Sequence, residues 1–214
     1  MATALPLKLI LPLLPTVLPP AVSNVLSVLR LLSRSNSLSA RLRDSITQKA
    51  EGNPFFLEEI IRHLIDGGLI VRDERRWRAA SGIDETPIPD TVQAVLASRI
   101  DLLDPRAKRV LQAAAVVGRV FWLAPVRLLL DGDAGSVGDS LEILEARELV
   151  LSRLGSSIAA QPEFIFKHVL ARDVAYESLP RRERGSAHAT VARWIEEIAG
   201  ERRGEFVELL AHHY

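Results

Sequence analysis

The chain has 214 residues, enough for one large or two small domains, and its 48% hydrophobic content supports a real core. Lys+Arg and Asp+Glu are both 27, so zero net charge offers no global attraction to nucleic acid or anionic lipid. There is no cysteine, which excludes disulfides and thiolate metal sites, and only 5% aromatics, so Leu, Val, Ile and Ala must build the core.

From Leu9 to Leu29 no residue is charged. A membrane helix is opposed there by Pro12, Pro15, Pro19 and Pro20, each of which removes a backbone donor. The segment reads as a remnant strand and linker over 1–19, with a misassigned start or a signal or anchor segment as other readings. Val22, Val25, Leu26, Leu29 and Leu32 predict a first helix, Ser33 to Ser37 a polar break, and Leu38, Leu42 and Ile46 a second helix ending near Ala50.

Next comes Glu51-Gly52-Asn53-Pro54-Phe55-Phe56-Leu57-Glu58-Glu59. Asn53 is suited to the N-cap, and Pro54 to the first helical position, where a missing N–H costs nothing. Gly52 lets backbone approach whatever lies in front, and Glu58 and Glu59 are placed to meet the positive helix end. Leu57, Ile60, Ile61, Leu64 and Ile65 recur at helical spacing, so one face is buried. Gly67-Gly68 stops the helix. Leu69 to Trp77 predicts a hairpin around the charged residues 73–76, and 81–89 a linker.

A second unit spans 90–179. Asp90 is the predicted cap of a helix carrying Val92, Val95, Leu96, Ile100 and Leu103. Asp104-Pro105 opens a helix that turns Val110, Leu111, Ala114 and Val117 inward and ends at Gly118. A short helix from Pro125 and a longer one over Ser136 to Arg147 follow. Leu149 to Leu151 and Phe164 to Phe166 read as strands flanking a Gly/Ser/Ala/Pro loop. Three helices and then a hairpin is the order of a winged helix. The helix that would enter a DNA groove carries Asp139, Glu142, Glu145 and Glu148 against Arg147 alone, so phosphates repel it. Over 180–214, the stripe Ala187, Val191, Trp194, Ile195 and Ile198 predicts one helix, and Phe206, Leu209, Leu210 and His213 begin another.

Several histidines invite chemistry. His212 and His213 are adjacent on a helix and point about a quarter-turn apart, which is poor geometry for one ion. With no cysteine and no carboxylate at i+4, no metal is expected. His188 reads as structural. Ser156 and Ser157 lack a nucleophile elbow, so no hydrolase follows.

The run Glu51 to Glu59 resembles the glycine-x-proline segment of STAND-type signal-transduction ATPases, above all those joined to class III adenylate cyclase or LuxR-type output domains. The resemblance extends from about Pro20 to Tyr214. It implies a mainly α architecture: a helical lid over 20–80, a winged helix over 90–179, and a tetratricopeptide-like start over 180–214. Ile88-Pro89-Asp90-Thr91-Val92-Gln93 and Glu208 to Tyr214 resemble the family's winged-helix and repeat starts. It further implies that Gly52, Asn53 and Pro54 contribute to a nucleotide pocket, with the proline against adenine. Phe164-Ile165-Phe166-Lys167-His168-Val169 resembles the Met-His-Asp motif of NB-ARC ATPases. His168 stands at the histidine that reaches the β-phosphate of ADP, with Lys167 in place of methionine and Val169 of aspartate.

No G-x-x-x-x-G-K-[ST] loop and no strand ending in paired acids occur in the chain. The sequence therefore reads as a lid and winged helix without an ATPase core. ATP or ADP would bind only with a complementary nucleotide-binding core, and no metal is held by this chain. The expected partners are that core and the tetratricopeptide array of the parent protein, in the cytoplasm, with no membrane and no specific DNA. The alternative is a winged-helix transcription regulator.

Overall fold

The computed structural model describes residues 39–73, 76–130, 134–158, 161–200, 204 and 206–214. The expected apolar strand and linker over 1–19, the helix after Pro20, the polar break and part of the hairpin turn lie outside the described residues. The rest is mainly helical with two small sheets.

Helix α1 (Ala40–Ala50) is capped by Ser39, whose Oγ accepts from Leu42 N. Helix α2 (Pro54–Asp66) has Asn53 as N-cap and Pro54 at its start, and Gly68 follows it at φ 70°. Strands β1 (Ile70–Asp73) and β2 (Arg76–Ala79) pair antiparallel, with Ile70 opposite Ala79. Leu42, Ile46, Ile60, Ile61, Leu64, Ile70 and Trp77 close a first core. The residues expected as a linker are tied to it. They form a 3₁₀ turn (Ile83–Glu85) and bury Ile83 and Ile88. Ser39 Oγ donates to Asp84, and Lys49 Nζ donates to the Ile88 carbonyl and to Asp90 Oδ1 at 2.6 Å.

Helix α3 (Val92–Asp101) starts one residue later than expected. Thr91 Oγ1 accepts from Ala94 N at 3.1 Å, while the Asp90 carboxylate is held by Lys49. Val95 belongs to the first core and Leu96 to a second, so α3 is a wall shared by both. The second core is built on α4 (Pro105–Val117), capped by Asp104 and buried along Val110, Leu111 and Ala113 to Val117. Around it lie β3 (Val120–Trp122), α5 (Leu123–Leu129), α6 (Ala134–Ala146), β4 (Val150–Ser152) and β5 (Glu163–Phe166). The three strands are antiparallel in the order β3-β5-β4, with Phe121 opposite Phe164 and Val150 opposite Phe166. The loop between β4 and β5 is pinned at its root by Glu163. That buried carboxylate accepts from Trp122 Nε1 (3.1 Å), Ser157 N (2.8 Å) and Ser157 Oγ (2.6 Å), which makes Ser157 a structural serine.

Helix α7 (Val169–Glu177) leaves β5 directly and packs on α3 and α4. Helix α8 (Arg181–Ala199) buries Val191, Trp194 and Ile195, and α9 (Val207–His213) returns against it. Among the described residues no helix is long and apolar enough to cross a membrane.

Candidate functional site

The start of α2 is shaped by its own cap. Gly52 sits at φ +77°, a left-handed conformation that disfavours any side chain, and a Cβ there would meet nothing. Its need for glycine is therefore conformational. The Asn53 side chain accepts from Phe55 N (3.0 Å) and Phe56 N (3.3 Å), and the Asn53 carbonyl accepts from Leu57 N (3.1 Å). Pro54 has no N–H. The first turn thus has its donors spoken for, and what it presents outward is the exposed surface of Gly52, Asn53 and the Pro54 ring.

His168, in the short step from β5 to α7, comes to the same place. Its ring lies 4.2 Å from that of Phe55, centroid to centroid and tilted by 46°. His168 Nε2 is buried and has no hydrogen-bond partner among the described residues. Burial pushes its pKa below the usual value; Glu59 and Glu58 act against that shift, and Lys167 and Arg62 reinforce it. A neutral imidazole is thereby favoured, with one ring nitrogen left without a partner.

Behind this contact lies a four-membered charge cluster. Lys167 Nζ donates to Glu58 Oε1 and to Glu148 Oε2, both at 2.6 Å. Arg62 Nη2 donates to the same two oxygens, at 2.8 and 2.6 Å. Two cations and two carboxylates alternate, mostly shielded from water, and join α2, the second residue after α6 and the residue after β5. Burial alone would raise the Glu58 carboxyl, but hydrogen bonds and charge from Lys167 and Arg62 outweigh it and hold its pKa below the ordinary value.

Glu58 and Glu59 are therefore not the first-turn dipole partners that the sequence suggested. They lie in the second turn of α2 and are consumed by tertiary contacts. Glu59 is buried and pairs with Arg99 Nη1. Arg99 also donates to Asp66 Oδ2 (2.7 Å) and to the Arg147 carbonyl (2.6 Å). This second cluster fastens α2 to α3 and to the end of α6.

The four residues proposed from sequence are Gly52, Asn53, Pro54 and His168. The neighbour of Pro54 meets His168 directly. Sequence reading missed Phe55 as the contact, the Glu58–Arg62–Glu148–Lys167 cluster and Arg99. The i,i+4 pair Glu58–Arg62 was a visible signal. Glu148 carried none, since it lies beyond α6 at φ 53°.

The acidic face of α6 is only partly free. Asp139 and Glu142 are exposed, but Glu145 Oε1 accepts from Ser152 N (2.6 Å) and Glu148 is in the charge cluster. Among the described residues no group of side chains is arranged to hold a metal ion. A cavity of about 360 Å³ is lined by Gly118, Arg119, Trp122, Arg172, Leu209 and His212; Val169 also borders it, but Gly52, Asn53 and Pro54 do not.

A family profile described as a domain of unknown function (DUF8739) matches residues 30–77, which include α1, α2, β1 and the start of β2. No curated protein and no solved structure matches the chain.

Proposed function

We propose that this chain is the nucleotide-sensing and coupling portion of a STAND-type, ATP-binding signal-transduction protein. The carrying observation is the 4.2 Å contact between Phe55 and His168. It brings the start of the lid helix to the residue just before α7, although more than a hundred residues separate them in the chain. In this reading Pro54 offers its ring to adenine, while Gly52 and Asn53 border the pocket. His168 would offer its unpartnered Nε2 to a phosphate oxygen when a shift of the lid against the winged helix uncovers that buried nitrogen.

The element order α4-β3-α5-α6-β4-β5, with the last strand in the middle of the sheet, supports a winged helix. The antiparallel return of α9 on α8 supports the start of a tetratricopeptide-like array. ATP or ADP binds here only when a nucleotide-binding core is supplied, because the chain has no phosphate loop of its own. The core and the repeat array are the partners, and the cytoplasm is the place. Two states of the lid and the winged helix, selected by the nucleotide, would pass the signal onward.

The test joins this chain to the core of an intact relative and titrates ADP by calorimetry. Pro54→Ala and His168→Ala should each weaken ADP by about 1–3 kcal/mol, as for loss of a buried contact or a charge-assisted bond. Unchanged affinity in both variants, with the fold intact, overturns the reading.

A further inference from the structure

Helix α9 (Val207–His213) is docked on α8. Phe206, Leu209 and Leu210 pack it against the second core, and His213 is its buried anchor. His213 Nδ1 faces His188 Nδ1 of α8 at 2.8 Å, and His188 Nε2 meets the Tyr176 hydroxyl of α7 at 3.0 Å. His212 completes the group, its ring 5.1 Å from that of His213 and 5.8 Å from that of His188.

Two imidazole nitrogens at this distance share one proton, one ring donating and the other accepting, so at least one ring is neutral. Two nitrogens on one tetrahedral zinc ion stand about 3.3 Å apart, so the spacing is that of a hydrogen bond. We propose that the His188–His213 pair is an acid-sensitive latch, which holds α9 against α8 while the pair is neutral and releases it when the pair takes up protons.

The surroundings favour release. Around the pair, α7 supplies Arg172 and Tyr176, α8 supplies Arg184 stacked over the Tyr176 ring, and α9 supplies His212. Arg172 is turned toward the Ala115 carbonyl and Asp173. The charged groups that act on both rings are positive. A first proton leaves the bond intact but buries a cation beside Arg172. A second leaves two donors face to face. Burial, with His188 and His212, lowers the His213 pKa to about 4, opposed by the Val117 carbonyl. The His188 pKa is lowered by burial, His212 and Arg172. An undocked α9 returns both rings toward ordinary values near 6.5. Opening therefore takes up protons, and falling pH drives it.

The test is hydrogen exchange of the full chain at pH 7.5 and pH 5, corrected for the intrinsic pH dependence of exchange. Protection of 207–213 should drop at least tenfold at the lower pH, with a smaller change in 54–66. His213→Phe keeps the ring volume without titration and should make the difference at least severalfold smaller. If that variant fails to dock α9 at pH 7.5, His188→Gln takes its place, and imidazole chemical shifts of the native chain give the His213 titration directly. Protection that does not change with pH in the native chain, an equal drop in the variants, or a His213 pKa at or above 6.5 overturns the latch.

Discussion

Two side chains carry opposite lessons about single residues. Asn53 satisfies two backbone donors at the start of α2 and stays exposed, so Asn53→Ala should cost about 0.5–2 kcal/mol, the usual range for a lost N-cap, read as a lower urea midpoint. Arg99 is fully buried and holds Glu59, Asp66 and the Arg147 carbonyl at once. Arg99→Met leaves two carboxylates in the interior without their cation. Breaking a buried pair from one side typically costs about 3–5 kcal/mol, so this variant should be far less stable than the cap variant. Equal losses would contradict the distinction drawn between them. The difference also marks what a sequence reveals. Asn53-Pro54 and Asp104-Pro105 announce themselves because cap chemistry is local. Arg99 stands on the apolar stripe of α3, at i+4 from Val95 and i+3 from Leu96, but its partners lie 33, 40 and 48 residues away, so its role was not legible locally.

At the scale of elements, the apolar stripes of α2, α3, α4 and α8 gave the helices and their buried faces, because helical periodicity is written within a dozen residues. The charged faces were less readable. Glu145 and Glu148 looked like a solvent-facing repulsive surface, yet one caps the backbone of Ser152 and the other sits in the cluster with Arg62 and Lys167. Asp139 and Glu142 remain exposed on α6. They suffice to repel phosphates, so duplex binding should be weak and non-specific in a salt titration; nanomolar, sequence-dependent binding at physiological salt would favour the regulator alternative. The Lys167 cluster makes its own prediction. Lys167→Met leaves Glu58 and Glu148 sharing Arg62 alone. The Glu58 carboxyl should then titrate at higher pH, seen by carboxyl-resolved NMR, and an unchanged titration would mean that Lys167 does not act on it.

On the scale of the whole molecule, two cores meet along α3, where Val92 packs against both, and Arg99, the Lys167 cluster and the Phe55–His168 ring pair cross between them. This joint is where the proposed site lies, and its pH behaviour follows from the histidines. Burial lowers the pKa values of His63, His168, His188 and His213, so the unfolded chain binds more protons than the folded one. Their contribution to stability is full above about pH 6.5 and is lost as pH falls from there toward the folded values, about 4 for His213. The urea midpoint should therefore fall between pH 7 and pH 5, and less steeply in His168→Phe. A midpoint that rises over that range would contradict the burial argument.

The chain alone should match a buffer blank with Mg-ATP, since it has neither phosphate loop nor paired metal-holding acids. The proposed site puts an adenine nucleotide against both the start of α2 and His168 once a core is supplied. The most direct measurement is photo-crosslinking of an azido-adenine ADP to the core-completed protein, with the adduct mapped by mass spectrometry. Label is expected within 52–55, lost on competition with ADP and reduced in Pro54→Ala. Label confined to the supplied core, with 52–55 and His168 unmodified and indifferent to substitution, would contradict it.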